Sequence, residues 1–381
     1  MRLLALFLGI LFIASIIWEA FEVLVLPRRV SRRLRLSRLF FVSAWIAWRG
    51  LARAFYRRPK RRDAFLALFG PLSLLMLLSV WAFGMIVGFA MMQWGLGSAL
   101  RAPEGEAGFL TDLYMSASSF FTLGLGDVVP RTAAARIVTV VEAGMGFGFL
   151  AIVIAYLPVL YQAFSRREAT ISLLDARAGS PPSAGELLRR HAGDASGGLE
   201  RLLADWEHWS AELLESHISY PVLAFYRSQH SNQSWLSALT TILDACALLL
   251  VGVQDGPARQ ARLTFAIARH AVVDLAQVLY TPPRPPEVDR LSRADWAELR
   301  DALATAGYGS WESGDAGARL SEYRRLYEPY VNALGHHLEL TLPRWVTETK
   351  PPDNWQTSAW ERLSRGGRGQ GATAGRPDEH L

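Results

Sequence analysis

Three long apolar runs mark the first half of the chain, at residues 3–26, 64–93 and 135–163. Crossing a hydrocarbon core roughly 30 Å thick takes about 20 helical residues, so each run predicts a membrane-spanning helix. A fourth run, 239–253, is too short for that and contains Asp244, which predicts a buried helix of a folded domain instead. Between the first two runs, Leu34, Phe41, Trp45, Trp48, Ala52 and Phe55 recur at helical spacing while Arg38, Arg49, Arg53 and Arg57 fall on another face. That pattern predicts a helix lying in the membrane interface, since a span through 39–56 would bury Arg49 and Arg53. Beyond residue 167 the character is that of a soluble domain. Helical periodicity covers 197–217 and 232–280, with Trp206, Trp209, Trp235 and Phe265 at apolar positions, and a second helical group spans 291–338. No alternating strand pattern of comparable length occurs. Residues 178–185 and 281–290 read as linker-like breaks, and the glycine-rich end as disordered.

These elements predict an all-α membrane protein in five parts. They are a transmembrane helix (1–27), a basic interfacial segment (28–62), a pore-like domain (63–167), a helical cytoplasmic domain (168–364) and a tail (365–381).

Charge fixes the expected orientation. Of a formal net charge of +5, residues 1–163 contribute +9 (17 Lys+Arg, 8 Asp+Glu) and residues 164–381 contribute −4 (23 against 27). The segment 28–62 has 13 basic residues and no acidic one, so the positive-inside rule places it in the cytoplasm. The amino terminus is then outside, the three spans alternate, and the carboxy-terminal half is cytoplasmic, as in a multi-pass protein of the plasma (inner) membrane. The same segment is expected to attract anionic headgroups. A cleaved signal peptide over 1–26 is the competing reading. The length of the apolar run and the presence of Glu19 and Glu22, where a small-residue cleavage site would be needed, oppose it. Those two glutamates lie one turn apart; a sensor or proton site is one reading, and a near-interface pair satisfied by Arg28, Arg29 or the basic loop is the favoured one.

The second and third spans bracket residues 94–131, where a helix-length stretch, Thr111–Phe121, precedes Thr122-Leu123-Gly124-Leu125-Gly126-Asp127. Irregular backbone at membrane depth is tolerated where it lines a water-filled path, and a ring of inward carbonyls can replace the water of a potassium ion. Glycines at alternate positions allow the backbone angles such a loop needs. The apolar residues between them are expected to point away and wedge the strand against its support helix.

The hexapeptide resembles the TVGYGD signature of potassium channels, with leucine replacing valine and tyrosine. Its GLGD centre, followed by Pro130, is similar to the second pore of two-pore-domain channels and to inward rectifiers. Pro130 and Arg136 sit where simple bacterial channels keep proline and arginine, and Gly146 falls at the presumed inner-helix hinge; the likeness covers about 64–163. It implies ion sites at the carbonyls of Thr122, Leu123, Gly124 and Leu125 with the Thr122 hydroxyl at the inner mouth, an outer turn at Gly126, and Asp127 holding the external end. Leu125 cannot make the hydrogen bond that tyrosine makes behind the usual filter, which implies looser potassium selectivity or gating at the filter. One chain holds one such loop, so a homotetramer is expected.

In the third span Glu142 either lines the cavity and concentrates cations or braces the pore helix; its depth, close behind the filter, favours bracing. Gly144, Gly146 and Gly148 permit bending or close packing, and Pro158 predicts a kink near the cytoplasmic end. The single cysteine, Cys246, excludes an intrachain disulfide and multi-cysteine metal sites. The histidines, including His336 and His337, lack ligand spacing. No GxGxxG follows a strand, no cyclic-nucleotide pocket is recognisable, and no nucleophile with base and orienter stands out. The chain therefore reads as a potassium-selective channel and not an enzyme, with no cofactor beyond permeant K+, no nucleic-acid partner, and an unidentified ligand or protein at its helical domain. The alternative is a sensor or scaffold with a vestigial pore.

Overall fold

The computed structural model describes residues 1–24, 36–103, 105–193, 196–229, 233–252, 257–308 and 315–346. Arg28, Arg29, Leu34 and the tail 365–381 lie outside the described residues. The chain divides into two compact units, Met1–Gln162 and Ala163–Leu381.

In the first unit, α1 (Arg2–Leu24) packs along α4 (Phe69–Gly95). Membrane helices gain no hydrophobic drive from meeting each other in lipid, so they associate where small residues let backbones approach. Gly84 and Gly88, four apart on α4, do this: a β-carbon at Gly84 would lie 2.5 Å from Ile16, and one at Gly88 would lie 2.6 Å from Ile13. Gly9 of α1 answers from the other side, where a β-carbon would meet the Gly88 carbonyl at 2.7 Å. The outer faces of both helices, Phe7, Leu11, Phe21 and Phe83 among them, are exposed and apolar.

The interfacial segment folds as α2 (Leu36–Phe55), followed by α3 (Pro59–Ala67), which meets α4 at Leu68. Here the middle of the expected stripe turns inward, Phe41 and Trp48 are half-buried, and Phe55 at its end stays exposed. Trp45 and Ala52 are buried, Trp45 packs edge-on to Phe69, and Trp48 stacks on Phe65. The exposed large apolar side chains of α2 are Leu36, Leu39, Val42, Ile46, Leu51 and Phe55. Tryptophan buries more area against neighbouring aromatic rings than leucine or valine does, which accounts for the inversion. Glu19 accepts from the Ser37 backbone N–H at 2.8 Å and the Ser37 hydroxyl at 2.5 Å, so it sits on the amino end of α2. The indole of Trp18 donates to Glu22 at 2.7 Å.

A short antiparallel pair, β1 (Leu100–Arg101) with β2 (Val129–Pro130), closes the segment between α4 and the third long helix, α6 (Ala133–Ala178). Leu100, Met115 and Val128 form its small core. α6 extends 15 residues beyond the predicted 163 and remains helical through Pro158.

The second unit is all-α and centred on α9 (Trp235–Gly252), which is buried along nearly its whole length. Around it pack α7 (Ala184–Arg190), α10 (Ala258–Val278), α12 (Ala316–Arg325) and α13 (Glu328–Leu338), with α8 (Gly198–Ser219) against α10 and α11 (Arg293–Thr305) against α7. Although α9 is apolar and long enough to be a candidate span, it is a core helix, and Asp244 at its middle shows why the domain needs it there. Asp244 receives both terminal nitrogens of Arg290 at 2.9 Å and the Tyr327 hydroxyl at 2.5 Å; Arg290 also reaches Glu328 at 2.8 Å and lies over the Trp345 ring. The first expected break, 178–185, is not a free linker, whereas 281–290 is irregular and largely exposed, tied down by the Arg284 N–H on the Pro329 carbonyl at 2.9 Å and by Arg290. Pro182, Ser183 and Ala184 are buried, Ser183 caps α7, and Gly185 donates to the Trp345 carbonyl at 3.1 Å. Small residues and prolines serve close backbone approach there, and that composition imitates a linker.

Within this unit Arg167 is fully engaged. Its guanidinium donates to the carbonyls of Leu223 (2.9 Å) and Tyr226 (2.8 Å), pairs with Glu168 (2.9 Å), and meets His217 Nε2 at 3.1 Å. Because arginine has only donors, His217 accepts at Nε2 and carries its proton on Nδ1, which faces the Leu213 carbonyl at 2.9 Å.

Candidate functional site

The site starts where α5 (Phe109–Phe120) ends. Thr122 donates its backbone N–H to Ser119 O at 3.0 Å and Leu123 donates to Ser118 O at 2.8 Å. These two bonds form a Schellman cap, whose turning residue has left-handed backbone and is most often glycine. Here it is Thr122, at φ +55°. A β-branched residue in that region costs of order 1–3 kcal/mol and persists only where its surroundings impose it. Strain of that kind collects at functional positions.

Beyond the cap the sign of φ alternates. It is positive at Thr122, Gly124 (+62°) and Gly126 (+78°), and not at Leu123 or Leu125. Successive residues of opposite hand turn neighbouring peptide groups the same way, gathering N–H groups on one side and carbonyl oxygens on the other. A β-strand does the reverse, alternating its carbonyls, and residues 122–127 are not the strand that the sequence led one to expect. A β-carbon at Gly124 or Gly126 would touch nothing within 4 Å, so conformation and not crowding demands glycine at both. Leu123 and Leu125 are 62% and 64% exposed, which corrects the expectation that they wedge against the support helix. The buried face of α5 is turned to α4.

Asp127 is fixed from behind. The Tyr114 hydroxyl of α5 donates to its Oδ2 at 2.8 Å, and Oδ1 accepts the Val128 N–H at 3.0 Å. Deeper, Glu142 is fully buried, and its Oε1 is hydrogen-bonded to the Ser116 hydroxyl of α5, which also lies 2.7 Å from the Ile86 carbonyl of α4. One carboxyl group thus joins α6, α5 and α4. Gln93 of α4 makes a second tie to α6, donating to Ala135 O and Thr139 Oγ1 at 3.1 Å each. Gly146 packs on the last residue of α5, where a β-carbon would lie 2.0 Å from the Phe120 carbonyl oxygen. Of the two roles open to that glycine, close packing is the one observed. Pro158 is exposed and four turns away on α6 from the filter-proximal residues, so it is not part of this cluster.

Sequence reasoning missed Tyr114, Ser116 and Gln93. For Ser116 and Gln93, both fully buried, the signal was present: burying a polar group without a partner is costly.

Residues 75–162 match a family model described as "Ion channel". This match supports an ion-channel pore over that stretch. With the helices and site above, the chain is an all-α, multi-pass membrane protein with an ion-channel pore domain. It is similar to the "Uncharacterized membrane protein YdjJ" of Bacillus subtilis (strain 168), with 24% identity over 259 residues, covering 65% of this chain and 73% of that protein. No solved structure matches the chain.

Proposed function

We propose that the protein is a potassium-selective channel in which four copies close a ring around one axis, each contributing the carbonyls of Thr122, Leu123, Gly124 and Leu125. The observation that carries this reading is the alternation of backbone hand from Thr122 to Gly126 directly after a capped helix, inside the segment that matches the ion-channel model. Oxygens gathered on one side of a narrow loop suit the dehydration of a monovalent cation. The hydroxyl that Leu125 lacks is supplied from the support helix by Tyr114, which anchors Asp127 at the outer end. Exposed Leu123 and Leu125 find their neighbours in adjacent copies. The amino terminus lies outside the plasma membrane, the basic segment meets anionic headgroups inside, and the helical unit regulates the pore through the end of α6.

The test is potassium flux through the purified full chain in liposomes. Wild type admits potassium faster than sodium, and Gly124→Ala and Gly126→Ala, which force an L-residue into left-handed backbone, abolish flux while the four-copy mass by light scattering is retained. Unchanged flux in both variants, or a monomeric wild type, overturns the assignment.

A further inference from the structure

The polar cluster behind the site has one hydrogen too few. The Ser116 hydroxyl lies within hydrogen-bonding distance of two oxygens, Ile86 O and Glu142 Oε1, and it owns a single proton. The Ile86 carbonyl can only accept. If Glu142 were a carboxylate it too could only accept, and one of the two short contacts would hold no hydrogen. Among the described residues no cation is paired with Glu142. Glu142 Oε2 has no hydrogen-bond partner among the described residues, and the side chain is fully buried. α4 contains no ionisable side chain; α5 brings Asp112, which accepts from Ser98, and Tyr114, which donates to Asp127. Within the stretch of α6 that spans the membrane the cation is Arg136, which donates to Pro130 O. α1, against α4, brings Arg2 beside Gly97, together with Glu19 and Glu22, which are held by Ser37 and Trp18.

We propose that Glu142 is kept as a neutral carboxylic acid that donates to Ser116, so that Ser116 can donate to Ile86 O and the three helices behind the filter are joined by a directed chain of hydrogen bonds. Every contact then holds one proton. Glu142 is a positioning residue in this account: it acts on the support helix through Ser116 and touches no ion. An acid without charge also leaves the field along the pore unaltered, which separates this role from that of a cavity carboxylate that concentrates cations. The spectroscopic test below stands apart from the channel reading, and only the flux arm rests on it.

The test is infrared difference spectroscopy of the purified full chain at neutral pH, wild type minus Glu142→Gln. A carbonyl-stretch band of a protonated carboxylic acid, present in wild type and lost in the variant, is the expected result; loss of a carboxylate band instead overturns the proposal. Ser116→Ala provides an independent reading. Removing the acceptor moves the acid band to higher frequency, and an unshifted band overturns the donor role even if Glu142→Gln fails to fold. In flux, glutamine restores a donor and alanine does not, so Glu142→Gln conducts more than Glu142→Ala; equal loss in both overturns the neutral-donor role. A wild type that shows the acid band but no flux refutes the channel reading and leaves the protonation intact.

Discussion

An alanine at Gly146 should damage the protein, whereas an alanine two residues later should not. The β-carbon of Gly146→Ala would stand 2.0 Å from the Phe120 carbonyl oxygen, 2.8 Å from its carbon and 3.0 Å from its Cα, all backbone atoms that cannot rotate aside. Restoring even a 3.0 Å contact requires a relative shift of α5 and α6 of 1.0 Å (3.0 − 2.0). Overpacking of this kind costs about 1–3 kcal/mol, against which replacing a mid-helix glycine with alanine returns about 1 kcal/mol. Gly148→Ala has only the second effect, since its β-carbon meets nothing within 4 Å. The two variants should therefore differ by the overpacking alone, about 1–3 kcal/mol. Phe120 is two residues before Thr122, so the shift arrives at the strained cap and flux should fall as well. Thermal survival of the folded protein in detergent and potassium flux, measured side by side on both variants, test this. A Gly146→Ala protein as stable and as conductive as Gly148→Ala would show that the glycine serves bending and not contact. If Gly148→Ala is the damaged one, a neighbouring copy packs there.

Two predictions concern the helical unit. Arg290→Met leaves Asp244 buried without its cation, while Glu328 keeps Arg324 at 3.1 Å, and removing one partner of a buried pair costs about 3–5 kcal/mol; a denaturant midpoint followed by tryptophan fluorescence should fall accordingly, and a shift below about 1 kcal/mol would mean that the cluster rearranges. Burial, together with the Arg167 charge beside it, pushes His217 well below its ordinary 6.5. Between that depressed value and 6.5 the unfolded chain binds a proton that the folded one does not, so stability is fully present above 6.5 and declines as pH falls below it, by at most about 1.4 kcal/mol per pH unit. His217→Gln, which keeps an acceptor for Arg167, should flatten this slope when melting is followed through Trp206 and Trp209.

Much of the architecture was legible because period and length carry it. The apolar runs gave α1, α4 and α6, and the 3.6-residue repeats with large aromatic residues gave α8, α9 and α10. Glycines at 124 and 126 marked the left-handed positions, since no other residue adopts them so cheaply. Three things were not legible. Nothing in a hydrophobic pattern says whether an apolar face meets lipid or protein, so the stripe of Trp45, Trp48 and Ala52 was assigned to lipid. Composition alone made Ala178–Gly185 a linker, although its small residues serve tight packing. And the partners of polar groups, Ser116 for the buried Glu142 and Tyr114 for the exposed Asp127, depend on helix placement that a one-dimensional spacing does not supply.

The placement of Glu19 has a consequence for how the chain is made. As α1 leaves the ribosome, a carboxyl group near its end has no partner, and such a group in a membrane helix costs about 2.5–3.5 kcal/mol at the centre of the span. The amide that will receive it belongs to Ser37, which is synthesised 18 residues later. Until α2 winds up and offers its unpaired amino-terminal N–H groups, that carboxyl group lacks the Ser37 bonds it has in the folded chain. Afterwards the helix dipole of α2 and the carboxylate hold one another. Satisfying Glu19 at the end of the first helix thereby waits on the folding of the second. A chain whose nascent α2 is delayed or broken should be lost to quality control at the membrane before any pore is assembled.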